Sequence, residues 1–153
     1  MYELGKKSLD KLADVHPKLA KVIVRAITIT TQDFTVVQGL RTLEEQKRLV
    51  AAGKSQTMKS RHLTGHAVDL APWVGNTTDW EDHDKFTVVA EAVREAARKE
   101  NVEVLWGAAW HLALNYFPSA KEAREAYVKD CKAKGKKPFI DAPHFQLTWK
   151  DYP

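Results

Sequence analysis

Helix-period and strand-period segments interleave along this chain without the strict strand–helix–strand alternation that a parallel sheet needs. Leu19, Val22, Ile23, Ala26 and Ile27 recur at 3–4 spacing behind Pro17, which predicts a helix with one apolar stripe and proline in its first turn. Ser8 reads as the N-cap of a shorter helix before it, ending near Val15. Residues 33–38 are β-branched and end at Gly39, as a strand does. Thr42 followed by Glu45 has the capping-box form and predicts a helix to about Ala52, with Gly53 as its stop. Residues 54–65 read as a loop, 66–71 as a strand closed by Pro72, and 76–80 as another loop. Asp82 is placed to cap a helix over 83–99. Residues 102–106 read as a strand, 119–133 as a helix and 143–148 as the final strand. This order predicts an α+β fold, a small antiparallel sheet flanked by helices.

At 153 residues the expectation is a single domain spanning 1–153. A domain of this size removes roughly 68–70% of its unfolded surface from water, so it needs no disulfide staples, and its only cysteine, Cys131, could form none within the chain. Residues 1–7 lack the apolar core of a secretory leader, and the aliphatic stretch at 22–27 is broken by Arg25 and far short of a membrane span. Synthesis in the cytosol without a leader, and no membrane insertion, are the expectations. The net charge of +4 favours polyanions without choosing among them. The basic run from Lys132 to Lys137 carries no interleaved aromatics of the kind that stack bases. It reads as a solvated helix end, and no nucleic-acid partner is expected.

Chemistry-bearing residues concentrate in Ser60-Arg61-His62-Leu63-Thr64-Gly65-His66-Ala67-Val68-Asp69. Imidazole and carboxylate suit zinc, and a catalytic site needs three protein donors and an open position for water. On a strand over 66–71 the side chains alternate faces. If Asp69 binds a metal, His66 points the other way, whereas His62 lies before Gly65, where the loop can turn back. Alone, this pair fits a buried aspartate and a surface histidine equally well. Asp141-Ala142-Pro143-His144 supplies a further donor and a carboxylate three residues before it, close enough to serve as a base toward water on a metal. No His-Glu-x-x-His helix and no Gly-rich phosphate loop is present.

Ser60-x-His62-x-x-Gly65-x-Ala67-x-Asp69 followed by Asp141-x-x-His144 resembles the D-Ala-D-Ala carboxypeptidase and L-alanyl-D-glutamate endopeptidase family of zinc enzymes, and more narrowly its phage endolysins. Gln38-Gly39-Leu40-Arg41-Thr42, Trp106-Gly107-Ala108-Ala109-Trp110 and Pro143-His144-Phe145-Gln146-Leu147 extend the likeness from about residue 3 to 148. The resemblance implies a Zn2+ site at the sheet with His62, Asp69 and His144 as ligands. It implies Asp141 as general base and Arg41 as the group that holds substrate or the developing oxyanion, with Gln38 beside it. Arg41 on its own would read as a surface arginine at a helix start. Trp110 is the cleft candidate among the five tryptophans, and His111 beside it reads first as packing. Ala109 and Gln146 stand where such enzymes often carry Asp and Glu, positions able to alter a hydrogen bond around the ligands. The stretch 111–140 is long for its place, and its helix is a candidate wall of the cleft.

The expected activity is therefore zinc-dependent hydrolysis of the L-alanyl-D-glutamate bond in peptidoglycan stem peptides, by a monomer acting in the periplasm after holin-type release. The rivals are removal of terminal D-Ala by a D,D-carboxypeptidase, and a non-catalytic wall-binding module. The retained Asp141 argues against the second, because a structural zinc needs no base.

Overall fold

The computed structural model describes residues 1–153. Five helices, α1 (Lys6–Leu12), α2 (Pro17–Ile29), α3 (Leu43–Ala51), α4 (His83–Glu100) and α5 (Ala120–Ala133), surround five short strands: β1 (Phe34–Gln38), β2 (Ala67–Val74), β3 (Thr77–Thr78), β4 (Val104–Trp106) and β5 (His144–Leu147). The sheet runs β1-β2-β5-β4, antiparallel at each pairing, with β3 folded back on the end of β2. The fold is α+β.

The apolar stripe of α2 is buried in full at Leu19, Val22, Ile23, Ala26 and Ile27. The four larger of these each contribute about 1.5–3 kcal/mol by leaving water. They pack on α4, whose buried Phe86, Val89, Ala90, Val93, Ala96 and Ala97 follow the same period. These helices share one 31-residue core with the inner faces of β1, β2, β4 and β5. Asp82 and Ser119 cap α4 and α5 through backbone N–H groups of their first turns. Thr42 caps α3 by accepting from the Glu45 N–H at 3.1 Å. No helix is long and apolar enough to cross a membrane.

Several boundaries differ from the sequence reading. Ser8 is no N-cap: α1 starts at Lys6, and Ser8 is buried inside it, its Oγ accepting from the Val36 N–H at 3.0 Å. β1 is the edge of the sheet, so its outward N–H needs a partner, and Ser8 supplies one. Pro72 does not close β2, which continues to Val74. The Trp73 N–H donates toward β1, to the Asp33 oxygen, whereas the Pro72 carbonyl points the other way and accepts from the Asp79 N–H. The ring nitrogen of Pro72 lies on that outer side, beyond the reach of β5, where no ladder bond is lost. The segment read as a loop at 76–80 contains β3, joined to β2 by a two-residue turn in which Val74 faces Thr77.

Two segments that carry functional candidates are pinned to the sheet. A 3-10 turn, Arg61–Thr64, ends at Gly65 with φ +74°. A Cβ there would lie 2.7 Å from the Asp14 oxygen, so this close approach requires glycine. Residues 141–144 are held by β4: the Gly107 N–H donates to the His144 oxygen at 2.7 Å, the Asp141 N–H donates to the Gly107 oxygen at 2.7 Å, and the Trp106 indole N–H donates to the Ala142 oxygen at 2.7 Å. A Cβ at Gly107 would overlap the Asp141 carbonyl and stand 3.0 Å from the His144 Cβ. Gly107→Ala is therefore expected to cost about 1–3 kcal/mol in a urea titration and to weaken metal binding, because the strain falls on the segment that carries His144.

Candidate metal centre and active site

Cross-strand registry brings the site together. Asp69 on β2 stands opposite His144 on β5, and directly opposed residues have Cβ atoms about 4.5–5.5 Å apart. His62 arrives from the 3-10 turn, whose backbone is tied to the segment after β1 by the Arg41 N–H donating to the His62 oxygen at 2.9 Å. His62 Nε2 lies 3.2 Å and His144 Nδ1 3.3 Å from the same oxygen, Asp69 Oδ1. One donor atom from each of the three residues falls within 4.8 Å of the others.

The hydrogen bonds around this cluster decide what it can bind. His62 Nδ1 is 2.9 Å from the Gly39 carbonyl oxygen, which can only accept, so Nδ1 carries the proton and Nε2 presents a lone pair. His144 Nε2 donates to Gln146 Oε1 at 2.8 Å, which leaves the Nδ1 lone pair facing inward. Three lone-pair donors converging on one point repel one another unless a cation or a proton lies between them. Two bonds of about 2.0–2.1 Å in tetrahedral geometry set donors about 3.3 Å apart, close to the two histidine–aspartate spacings here. The donor set fits a zinc-type ion in size, charge and chemistry.

Protonation follows the same arrangement. Burial disfavours the Asp69 charge, yet the hydrogen bonds and charges of His144 and His62 outweigh it and hold Asp69 well below the usual carboxylate range. Burial would lower His144, but its contact with Asp69 raises it overall. Asp141 behaves oppositely to Asp69: burial and then the nearby Asp69 charge push it above an ordinary aspartate. Two carboxylates of one site are thus pushed in opposite directions, Asp69 toward its ionised form and Asp141 toward greater basicity.

The cluster lies at the base of a cavity of about 590 Å³ lined also by Arg41, Trp110 and Asp141. Six of the seven residues named for this site from sequence therefore line the cavity: His62, Asp69, His144, Arg41, Asp141 and Trp110. Gln38 does not. Its amide donates to the Leu40 oxygen at 3.2 Å and lines no part of the cavity, although the irregular β1–β2 register sets its backbone opposite Asp69. His66 bonds to Thr64 and stacks near His16, away from the cluster. His111 packs on Phe117 and Tyr127 outside the cavity. The helix within 111–140 is no cleft wall either: α5 packs on α4, and only Phe139 of that stretch lines the cavity. Of the two departures, Ala109 is a buried turn residue, whereas Gln146 orients His144.

Two contributors carry no sequence signal. Gln46 is fully buried on α3, with Oε1 accepting from Arg41 Nη1 at 2.7 Å and Nε2 donating to Ser55 Oγ at 2.9 Å and the Thr57 oxygen at 2.6 Å. It holds the Arg41 guanidinium, whose Nη2 stands 3.7 Å from Asp69 Oδ2, and fastens the 55–57 loop at the cavity wall. Trp149, past the end of β5, also lines the cavity. Gln46→Leu strands the Thr57 carbonyl and frees Arg41. Each buried polar group left unpaired costs about 1–3 kcal/mol, so a clear drop in thermal midpoint is expected, together with a turnover loss of about tenfold or more. Gln46→Glu, which keeps the Arg41 contact, should retain more turnover than Gln46→Leu in parallel assays.

Comparison with known proteins agrees over nearly the full length. The family described as "Phage L-alanyl-D-glutamate peptidase" matches residues 1–148. The L-alanyl-D-glutamate peptidase of Escherichia phage T5 is 36% identical over 123 residues, covering 78% of this chain and 90% of that protein. The L-alanyl-D-glutamate peptidase of Listeria phage A118 is 24% identical over 151 residues, 99% of this chain but 43% of that protein. The crystal structure of the Serratia marcescens L-Ala D-Glu endopeptidase ChiX superposes with a TM-score of 0.75 at 38% identity, over 97% of this chain and 91% of that one.

Proposed function

Because this chain belongs to the phage L-alanyl-D-glutamate peptidase family, and is thereby a peptidoglycan-hydrolysing endopeptidase, we propose that it works as a zinc enzyme whose ligands are His62, Asp69 and His144. The observation that carries this reading is the convergence of two imidazole lone pairs on the Asp69 oxygen, with both outer ring nitrogens already committed to acceptors.

Zinc in such a site acts as a Lewis acid toward the scissile carbonyl and makes water a better nucleophile. The other roles belong to the chain. Asp141, raised by burial and by Asp69, takes the proton of the attacking water and returns it to the leaving D-glutamate nitrogen as the carbon–nitrogen bond breaks. Arg41, always charged and held by Gln46, faces the oxygen on which negative charge develops. Lys54, Lys59 and Arg61 line the same cavity, a positive surround suited to the free carboxylates of a stem peptide. Every one of these residues comes from a single chain, which suits a monomer. The substrate lies outside the cytoplasmic membrane, so a protein made in the host cytoplasm needs a release route to reach it.

Mass spectrometry of digested peptidoglycan tests the bond: new termini at L-alanine and D-glutamate are expected, whereas release of terminal D-alanine, or undiminished activity in chelator, overturns the reading. Asp141→Asn should keep zinc bound and lower kcat by about 10²–10⁴-fold, while His62→Ala and His144→Ala lose zinc, measured by metal analysis. The ionised form of Asp141 is the active one, so activity should fall as pH drops through its raised pKa. The acidic limb of the rate profile is therefore expected above the ordinary aspartate value of about 3.9.

A further inference from the structure

Two tryptophans border the cavity, and they differ in what their faces touch. Trp110 is engaged by its neighbours: it stacks on Phe139 at 6.0 Å and 14°, lies 5.2 Å from the His144 ring, and its indole N–H donates to the Phe139 oxygen at 3.1 Å. Trp149 has one covered face only. The Arg61 guanidinium carbon stands 3.9 Å from its ring centroid, a cation–π contact, and the side chain remains 56% exposed.

Arg61 is not a loose partner. It is 4% exposed, and its Nη2 donates to the Leu147, Thr148 and Tyr152 oxygens at 3.3, 3.3 and 2.6 Å, carbonyls on both sides of Trp149 in the chain. The indole thus rests over a buried, fastened cation beside the His62–Asp69–His144 cluster, since Arg61 directly precedes His62. A large aromatic backed by a buried cation and left half in water presents apolar ring surface to the cavity. That arrangement suits a ligand that covers the free face.

We propose that Trp149 is a stacking platform for a pyranose ring of the glycan strand, the sugar to which the stem peptide is attached. The proposal rests on the peptide-bond reading above. In peptidoglycan the L-alanine of the scissile bond is joined through a lactyl group to the sugar, so the ring lies about two extended units, roughly 7 Å, to the amino side of the reacting carbonyl. The apolar C–H face of a pyranose matches an indole face, while its hydroxyl and acetamido groups need polar neighbours. Gln56, Lys59 and Ser60 line the same cavity and supply donors and acceptors. At about 590 Å³ the cavity is within the ~300–1,000 Å³ range that encloses a ligand of several groups.

The test compares the zinc enzyme on two substrates, the L-Ala-γ-D-Glu-diaminopimelate tripeptide and the same tripeptide carrying N-acetylmuramic acid. Wild type should show a KM at least fivefold lower for the sugar-bearing form. Trp149→Ala should erase that preference, and Trp149→Phe, which keeps a smaller ring over Arg61, should restore part of it, with thermal midpoints recorded for each. An equal KM rise on both substrates, or no preference in wild type, overturns the proposal. Should wild type cleave neither, the bond assignment fails, and fluorescence titration of the metal-free protein with N-acetylmuramoyl-L-alanine judges the platform by itself. At least fivefold weaker binding by Trp149→Ala supports it, and equal binding overturns it.

Discussion

One carboxylate organises the functional half of this protein. Asp69 Oδ1 receives two histidine nitrogens at 3.2 and 3.3 Å, and Oδ2 faces Arg41 at 3.7 Å. An ionised group so placed is costly to bury unless paired, and every neighbouring element contributes to pairing it. β5 brings His144 by strand registry, the 3-10 turn brings His62, and α3 brings Gln46, which secures Arg41. The outer contacts matter as much as the inner ones. Without the Gly39 carbonyl and Gln146, either imidazole could turn its N–H inward and present hydrogen where a lone pair is needed.

Stability and chemistry are laid out on separate parts of the fold. The α2–α4 pair and the sheet face beneath it hold most of the apolar core, while the site is built on the other face, from Asp69 of β2, His144 of β5 and the turns that adjoin them. Those turns are fixed by backbone bonds to Gly107 and to the segment after β1, so the ligands are carried on short, doubly anchored segments rather than on free loops. Such anchoring keeps a constellation within the tolerance that catalysis demands.

Much of this is legible in the amino-acid sequence itself. The α2 stripe, the caps at Thr42, Asp82 and Ser119, and the placement of His62, Asp69 and His144 in one cluster depend on local pattern and on motif. The misreadings share a cause: a residue's local preference was overruled by a distant partner. Ser8 has cap chemistry, yet an edge strand captured its hydroxyl. Pro72 has breaker chemistry, yet its nitrogen faces a side where nothing is required of it. Gln46 and Trp149 escaped notice because their partners, Ser55 and Thr57 for one and Arg61 for the other, are set by tertiary packing, and no spacing rule encodes that.

The two ligand histidines, alike in sequence, present opposite ring nitrogens: Nε2 from His62 and Nδ1 from His144. Their nearest amide mimics therefore differ. An asparagine carbonyl oxygen stands close to where Nδ1 would be, and a glutamine oxygen close to where Nε2 would be. A lineage drifting from this sequence has an isosteric path through Asn at 144 and Gln at 62, while the exchanged pair leaves one oxygen short of the site and the other crowded against it. The fold thus sets different substitution grammars for two residues of one kind.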